Sequence, residues 1–474
     1  MTPEEQFKQS VREAAKKFRE IPKSETIKLV SHLDCDGLSS CSLMIKTMIL
    51  EKRKYTVSIL QQLDAEKLEE LAKDSSKYFI ITDLGSGIIS LVNKLLSDKQ
   101  IFILDHHIPE KTENYPNIIH VNPLIFGVDG NTEISASGVA FLFASAVNPE
   151  MEKFAHIGII GACGDMQENN GFKGINAEIL DIAIKNDLVV VSKGLRFFGR
   201  QTRPLHKILE YSSNPFIPGV TGSESGAIQF LQSIGINPKN SLDWKKIIHL
   251  TDQEMKSLIT GIVMRRLSQS ELTPEDVFGN IYTLKNEKPE SPLREIKEFA
   301  TLLNACGRLK RPSLGIGACI GDEKMKQSAI DLGEEYKRTI VSAMRWYEEN
   351  KNSENITLGE NFIIINAKDF ILSTIIGTMA SMIGKSSSIK EGTYILALAY
   401  QNEKLAKVSF RLSGNNSTNI NLRAILEEMT GEMENCEFGG HENAAGAIIP
   451  IEKETEFIEK AKFVLGKRAI EEQI

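Results

Sequence analysis

Short apolar runs alternate with helix-forming stretches along the first third of the chain. The runs are rich in β-branched residues and predict strands at TIKLVS (26–31), TVSIL (56–60), YFIIT (78–82), IFIL (101–104) and NIIHV (117–121). The stretches between them, such as 38–50 and 90–96, have the spacing of helices. Strands that alternate with helices predict right-handed βαβ units and a mainly parallel sheet.

The pattern changes at about residue 190 and again near residue 350. Between these points it is mostly helical, with one strand-like segment at NIYTL (280–284), and the polar run EENKNSEN (348–355) predicts a linker. Beyond it, the segments FIIIN, TYILALAY and AKVSFRLS are strand-like. We therefore predict an α/β protein in three parts, with a cleft between its two α/β domains: a parallel-sheet domain at 1–190, a mainly helical connector or insert at 191–350, and a smaller α/β domain at 356–474.

Composition and charge exclude several classes of protein. With 41% hydrophobic and 25% charged residues, the chain is not disordered, collagen-like or a multi-span membrane protein. It has no signal-peptide core, no apolar run of about 18 residues and no CxxC pair among its six cysteines, so we expect a cytoplasmic protein with reduced thiols. The net charge of −7 argues against a general nucleic-acid coat protein, since affinity for phosphate backbones rises with basic charge.

Aspartate and histidine concentrate just after the predicted apolar elements. Four segments carry them: SHLDCDG with His32, Asp34 and Asp36; TDLGSG with Asp83; LDHHIP with Asp105, His106 and His107; and GACGDM with Asp165. The residues of the first segment alternate, so on an extended strand end their side chains would point to one side. Because ligands collect beyond the carboxyl ends of parallel strands, we expect three strand ends and one helix end to bring this set to one crevice.

Each of these residues has a plainer interpretation when it is taken alone. A single aspartate after a strand is usually a turn residue or a helix cap, and a partly buried histidine is often structural. Together, histidines and carboxylates at one edge predict a site for hard or borderline divalent cations such as Mn²⁺ or Mg²⁺. Several carboxylates also favour two ions that share a bridging acid, an arrangement suited to phosphoryl displacement.

These motifs resemble those of the DHH phosphoesterase superfamily. HLDCDG, the aspartate after a later strand, DHH and the later GD are similar to its four motifs. EFGGHENAAGA (437–447) resembles the GGGHxxAAGA signature of the DHH-associated domain, with Phe438 in place of the first glycine, and VSFRLSG (408–414) resembles the arginine-bearing strand before it. SASGVA (135–140) and LNACGRLKRPSLGI (303–316) are similar to archaeal RecJ-like members, including the GINS-associated nuclease. The resemblance thus spans nearly the whole chain and implies a DHH catalytic domain and a DHH-associated substrate-binding domain.

The resemblance implies two metal ions and a division of their ligands: one ion held by His32 and Asp34, the other by Asp36, His106 and Asp165, with Asp83 bridging the two. It implies that His107 lies beside the scissile phosphate and that Asp105 orients a histidine. The implied activity is that of a Mn²⁺- or Mg²⁺-dependent exonuclease that degrades single-stranded DNA or RNA to 5′-mononucleotides in replication or repair. The GINS replication complex is an implied partner, with the helical insert as the candidate partner surface.

The C-terminal motif predicts a grip on the substrate. Glycines let backbone N–H groups approach a phosphate closely, and histidine and arginine can donate to its oxygens. We therefore expect substrate binding by Gly439, Gly440, His441, Arg411 and also Arg308. Two basic clusters, 193–207 with Phe197 and Phe198 interleaved and 308–311, are candidate linings of a single-strand channel, although a charge run is more often a solvated face.

Two other functions stay open. A small-substrate phosphodiesterase of the same superfamily would act on nanoRNA, pAp or a cyclic dinucleotide, but such members are often shorter and lack a long insert. A GINS-binding replication scaffold would need little catalysis. The eukaryotic relative in the replicative helicase lacks the full ligand set, whereas all the ligands are present in this chain.

Overall fold

The alternating pattern of the N-terminal third folds as a five-stranded parallel sheet with the order β2-β1-β3-β4-β5. This computed structural model describes the chain except residues 112–114, 213–214, 241–242, 268–276, 387, 415–419, 432, 435, 442–443 and 472–474, and except the side chains of residues 441 and 469–471. The described residues divide into two compact units, Met1–Gly333 and Glu334–Ile474. No helix in those described ranges is long and apolar enough to cross a membrane.

The strands of the parallel sheet coincide closely with the predicted apolar runs: β1 (Thr26–His32), β2 (Lys54–Leu60), β3 (Tyr78–Thr82), β4 (Gln100–Leu104) and β5 (Ile118–Val121). Seven helices accompany them: α1 (Pro3–Glu20), α2 (Cys35–Leu50), α3 (Ala65–Ala72), α4 (Ile89–Leu95), α5 (Ala136–Val147), α6 (Ala155–Gly164) and α7 (Gly174–Lys185). Successive residues of β3 enter different cores, as the period of two requires. In β3, Ile80 packs with Phe18 and Phe102 in one core, whereas Phe79 and Ile81 pack in the other.

An insert with its own core follows the sheet. It is enclosed by an antiparallel pair, β6 (Val189–Leu195) and β9 (Phe278–Leu284), of which the sequence pattern predicted only β9. Between them lie α8 (Leu205–Glu210), α9 (Glu224–Ser233), β7 (Lys239–Asn240), β8 (Asp243–Trp244) and α10 (Asp252–Leu267). The chain then returns through α11 (Ile296–Arg308) and α12 (Pro312–Ile320), whose apolar residues join the core that contains α2 and α6.

The second unit contains a six-stranded mixed sheet with the order β10-β11-β12-β13-β15-β14. The long helix α13 (Glu323–Asn350) leads into it, so the first residues of the predicted linker are helical. The strands are β10 (Ile356–Leu358), β11 (Phe362–Asn366), β12 (Tyr394–Tyr400), β13 (Leu405–Leu412), β14 (Glu437–His441) and β15 (Ala444–Pro450), and the helices are α14 (Ser373–Gly384), α15 (Leu422–Thr430) and α16 (Glu454–Glu471). The predicted α/β fold class, with a parallel sheet and a C-terminal α/β domain, is confirmed.

Candidate metal centre

Three neighbouring strands of the parallel sheet end at the predicted acids and histidines. β1 ends at His32, β3 is followed by Asp83, and β4 is followed by the run 105–107. Because β1, β3 and β4 are adjacent, their carboxyl ends lie side by side. Asp165 joins them from the C-terminal end of α6, where it is the capping residue. The structure therefore brings all four motif segments to one edge of the sheet.

The first motif reaches this edge by a route that differs from the prediction. β1 stops at His32, so Asp34 and Asp36 do not continue an extended strand. Asp34 is the N-cap of α2, accepting from Gly37 N at 3.0 Å, and Asp36 lies in the first helical turn. The predicted strand alternation was wrong because the chain turns into a helix at once. Gly37 permits this turn, since a Cβ there would collide with the His32 carbonyl.

A first group of possible ligands joins His32, Asp34 and Asp83. His32 Nδ1 lies 2.9 Å from Asp34 Oδ2 and 3.3 Å from Asp83 Oδ2. One ligand atom from each residue lies within 4.8 Å of the others, which is close enough for a single cation to contact all three. The side chains of His32 and Asp34 are 25% and 31% exposed, so this group is open to solvent.

A second group joins Asp36, His106 and Asp165 within the same 4.8 Å limit. His106 Nε2 lies 3.4 Å from Asp165 Oδ2 and 3.9 Å from Asp36 Oδ2. The side chain of Asp36 has no exposed surface and that of His106 is 6% exposed. Asp165, the third member, is 27% exposed, so the deeply buried part of this group is Asp36 with His106.

Asp83 stands between the two groups. Its Oδ2 faces His32, and its Oδ1 lies 3.6 Å from His106 Nε2 and 3.7 Å from His107 Nδ1. Asp83, His106 and His107 form a third group within 4.8 Å. The backbone of Asp83 has φ +59°, a left-handed conformation that aspartate adopts more readily than most residues. One buried carboxylate thus faces both clusters.

Crowding of the carboxylates shifts the pKa values at this edge. Burial and the charge of Asp83 raise the pKa of Asp36 to about 6, and burial and the charge of Asp36 raise the pKa of Asp165. Burial alone would lower the pKa of His106, but the nearby carboxylates of Asp83, Asp165 and Asp36 raise it overall. The pKa of His32 rises for the same reason, because Asp34 and Asp83 outweigh its burial. The crowded carboxylates therefore favour the binding of cations at this edge of the sheet.

Asp105 holds His107. Its Oδ1 accepts from His107 Nδ1 at 2.8 Å, and its Oδ2 accepts from the Ser86 backbone N–H at 3.0 Å. Burial lowers the pKa of His107, but the charge of Asp105 and this hydrogen bond raise it overall to about 9. The Asn122 amide also donates to the His107 carbonyl at 2.8 Å. The His107 side chain is 42% exposed, so it is both oriented and accessible.

Sequence reasoning missed the groups that hold Asp36. The backbone N–H groups of Ala136 and Ser137, at the start of α5, donate to its carboxylate at 2.7 and 3.0 Å. Gly161 of α6 lies against the same carboxylate, where a Cβ would collide with Asp36 Oδ1 and Ser137 Oγ. The available signal was SASG, in which Ser135 is the N-cap of α5.

Helix α11 supports the loop of the first group. Asn304 Oδ1 accepts from Cys35 N at 2.9 Å, and a Cβ on Gly307 would collide with the Leu33 carbonyl. The predicted substrate residue Arg308 is the next residue and is half-buried. The motif LNACGR thus places Arg308 beside the loop that carries Asp34.

The C-terminal motif is described within its own unit. Arg411 of β13 donates to Ser381 Oγ at 3.0 Å and to the Ala445 carbonyl at 3.1 Å. Gly440 pairs with Ala445 in the β14–β15 ladder, and Gly439 pairs with Gly446. The structure therefore places Arg411 on β13 and Gly439 and Gly440 on β14, the two strands that flank β15, while the side chain of His441 lies outside the described residues.

The basic cluster of the insert is less available than the sequence suggested. Phe197 is buried in the insert core, so the expectation that it helps to line a single-strand channel was wrong. Arg200 donates to the Leu195 carbonyl at 2.6 Å, and Lys207 pairs with Glu210 at 2.8 Å. Phe198 keeps a ring contact with a cation of the cluster, with the Arg203 guanidinium 4.9 Å from its ring centre.

The residues at the sheet edge fit divalent cations. His106 Nδ1 lies 2.7 Å from the Gly130 carbonyl, an interaction that makes Nδ1 the protonated nitrogen and leaves a lone pair on Nε2. His106 Nε2 and His32 Nδ1 are two of the buried side-chain atoms that have no partner of hydrogen-bond geometry within the described part of the chain. A ligand set of imidazoles and carboxylates suits Mn²⁺ or Mg²⁺, whereas softer metals prefer sites with thiolate ligands.

Three family models match successive parts of the chain: the DHH family N-terminal domain at residues 26–162, the DHH-CID domain at 197–276 and the DHHA1 domain at 359–467. The chain belongs to the DHH superfamily. The resemblance inferred from the motifs is therefore confirmed. The first model covers three of the four motif segments, and the third covers the glycine motif.

A curated relative of this DHH-superfamily chain is an uncharacterized protein of Methanocaldococcus jannaschii, 27% identical over 93% of this chain and 94% of its own. Among solved structures, RecJ of Thermus thermophilus in complex with Mn²⁺ is 15% identical with a TM-score of 0.57; 97% of this chain is covered, and it spans only 55% of that RecJ. An exonuclease RecJ bound to manganese is 15% identical with a TM-score of 0.57, and the match covers 96% of this chain and 94% of that one. CDC45 of Entamoeba histolytica is 12% identical with a TM-score of 0.62, and the match covers 98% of this chain and 99% of that one. At these identities the likeness is one of fold.

Proposed function

We propose that this chain is a metal-dependent, single-strand-specific exonuclease of the RecJ-like type, which hydrolyses phosphodiester bonds of DNA or RNA and releases 5′-mononucleotides. The observation that carries the proposal is the pair of ligand groups joined by Asp83. The fold of an exonuclease RecJ bound to manganese supports the same reaction class.

The two ligand groups would each hold one divalent cation, with Mn²⁺ preferred and Mg²⁺ as the alternative. His32 and Asp34 would hold the first, and the second would be held by Asp36, His106 and Asp165, with Asp83 shared. Two such ions supply a clamp for the attacking and leaving oxygens of an in-line displacement.

The chain's own side chains bind and orient the substrate. Asp105 fixes the ring of His107 through Nδ1, which leaves Nε2 to donate to a phosphate oxygen or to the departing oxygen. The raised pKa of His107 keeps it protonated near neutral pH. Arg308 and, in the second unit, Arg411 with the 439–441 motif would bind the phosphates of the strand.

End-labelled single-stranded DNA and RNA, digested with Mn²⁺, with Mg²⁺ and with EDTA, would test this function. We expect ladders or mononucleotides with either metal and intact substrate with EDTA. Hydrolysis that persists in EDTA, or cleavage of duplex as fast as single strands, would contradict the proposal. Comparing a long oligonucleotide with a dinucleotide, pAp and a cyclic dinucleotide separates it from the small-substrate alternative, which requires the short substrates to be preferred.

A second function, binding of the GINS complex as a replication scaffold, is favoured by the match to CDC45 over nearly the whole of both chains. It can coexist with hydrolysis. Pull-down of GINS by the full chain and by an Asp83→Asn variant tests it: a scaffold binds equally in both forms, and failure of the unmodified chain to bind excludes the role.

A further inference from the structure

A buried amide network lies next to the second ligand group. The carbonyl of Gly130 accepts two hydrogen bonds, from His106 Nδ1 at 2.7 Å and from Gln167 Nε2 at 2.9 Å. Gln167 Oε1 in turn accepts from Asn176 Nδ2 at 2.6 Å. A carbonyl has two lone pairs and can serve both donors fully. The ring of His106 is therefore oriented by an acceptor that Gln167 also holds.

Gln167 is tied to Asp165 through the backbone. It lies two residues further on, and the Met166 backbone between them has φ +60°. The N–H groups of Asp165 and Gln167 donate to the Gly161 and Ala162 carbonyls, so both residues sit in the same tight turn at the end of α6. Movement of the Gln167 side chain would therefore disturb the turn that carries Asp165.

The network has little room for substitution. Gln167 is 5% exposed and Asn176 has no exposed surface. A Cβ on Gly130 would collide with the His106 carbonyl, so only glycine lets its backbone lie this close. Gln167 must donate on one side and accept on the other, which an amide does and an ionised carboxylate cannot.

We propose that Gln167 is a positioning residue for one cation. It holds His106 in place through the Gly130 carbonyl, and it holds Asp165 in place through the turn that both residues share. The inference rests on the proposed function, which assigns these two residues to the same ion. It is selective, because no hydrogen bond in the described part of the chain links Gln167 to His32 or Asp34. Loss of Gln167 should weaken one of two cation sites and spare the other.

Titration of the full-length protein with Mn²⁺, followed by calorimetry and by electron paramagnetic resonance of free Mn²⁺, tests the inference without relying on activity. In Gln167→Met we expect one of two bound Mn²⁺ ions to lose about 10–100-fold in affinity, as is typical when a partner of a metal-bound histidine is removed. The other ion should bind as in the unmodified protein, and hydrolysis should recover at higher Mn²⁺.

Gln201→Met is the matched control. Gln201 is also a buried glutamine, 7% exposed, and its side chain accepts from Glu290 N at 3.1 Å, away from the ligand groups. This variant should bind both ions normally. If Gln167→Met fails to fold, Gln167→Glu replaces it, since the carboxylate keeps the shape and can accept from Asn176 but cannot donate to Gly130.

Normal binding of both ions by the Gln167 variants, or equal weakening of both sites, overturns the inference. The proposed function fails separately: an unmodified protein that binds two Mn²⁺ ions but hydrolyses no single-stranded nucleic acid would end it. A selective loss in Gln167→Met would still support the positioning role in that case.

Discussion

The two halves of the candidate metal centre differ in burial and in what supports them. His32 and Asp34 are about a quarter to a third exposed, whereas Asp36 and His106 are almost completely enclosed. The open half lies at a strand end and a helix cap, and helix α11 packs against the loop between them. The closed half depends on α5, α6 and the loop around residue 130, which come from distant parts of the chain.

The difference indicates how each half should respond to change. A buried carboxylate such as Asp36 needs its backbone donors, because an unpaired charge away from water is costly. The carboxylate of an exposed candidate ligand such as Asp34 can form hydrogen bonds with water when its protein partner is lost. We therefore expect changes in the closed half to affect stability and cation binding together, and changes in the open half to affect mainly cation binding.

The largest effect is expected where the halves meet, in Asp83→Asn. Asparagine tolerates the left-handed backbone of this position, so the fold should survive. Loss of the shared charge should abolish hydrolysis, by more than about 10³-fold, since removing even one stabilising donor can cost 10²–10³-fold in other enzymes. Initial rates on single-stranded substrate, together with Mn²⁺ titration, measure the effect.

Asp187→Asn is the control for this variant. Asp187 has the same φ of +59° but is exposed and pairs with Lys285 at 2.5 Å. It should hydrolyse at the unmodified rate. Substantial activity in Asp83→Asn with normal binding of two ions would mean that the two ligand groups act independently. Asp83 would then not be a shared ligand.

Asp34→Asn probes the open half alone. Asparagine caps a helix as well as aspartate does, so α2 should keep its stability. We expect hydrolysis to fall by at least about 10²-fold, the upper part of the range for changes around a metal ligand, with partial recovery in excess Mn²⁺. Asp64→Asn, at the N-cap of α3 with Lys67 N at 2.8 Å, makes the same change outside the three ligand groups and should leave the rate unchanged. Equal rates in the two variants would contradict the assignment of Asp34.

Gly161→Ala probes the closed half. Its methyl group would collide with Asp36 Oδ1 and Ser137 Oγ, and overpacking of this kind costs about 1–3 kcal/mol. Thermal unfolding should show the loss, and Mn²⁺ titration should show weaker binding at one site. Gly158→Ala, one turn earlier in α6, meets no atom closer than 3.4 Å, so its stability should be unchanged or higher by up to about 1 kcal/mol. Identical unfolding temperatures for the two variants would contradict the packing argument.

Local patterns predicted most of the fold because the parallel sheet is buried on both sides and reads as short apolar runs. YFIIT corresponds to β3 residue for residue, and IFIL to β4 apart from one residue. The hairpin strand β6 was missed, since it carries four exposed residues in succession and has little apolar periodicity. The convergence of the Asp and His segments could be predicted from three strand ends and one helix end.

The supporting contacts could not be predicted in the same way. Gln167 and Asn304 act through single hydrogen bonds to backbone atoms of residues far away in the sequence, and no spacing rule connects them to His106 or Cys35. The alternation of His32, Asp34 and Asp36 was also misleading. Their side chains converge because a strand end, a helix cap and a helical turn follow one another, so the geometry emerges only in three dimensions.

The smallest effect is expected for Asn304→Ala, which removes the acceptor for Cys35 N beside the open half. The hydrogen bond is partly exposed and water can replace it, so we expect a loss of about 1 kcal/mol in stability and a severalfold weaker affinity for one Mn²⁺ ion. Asn304→Asp keeps an acceptor at this position and should retain most of the affinity. If the halves are independently supported, the ion weakened by Asn304→Ala is the one that Gln167→Met spares. Weakening of the same ion by both variants would show that α11 and the Gln167 network support a single site, and the division into an open and a closed half would fail.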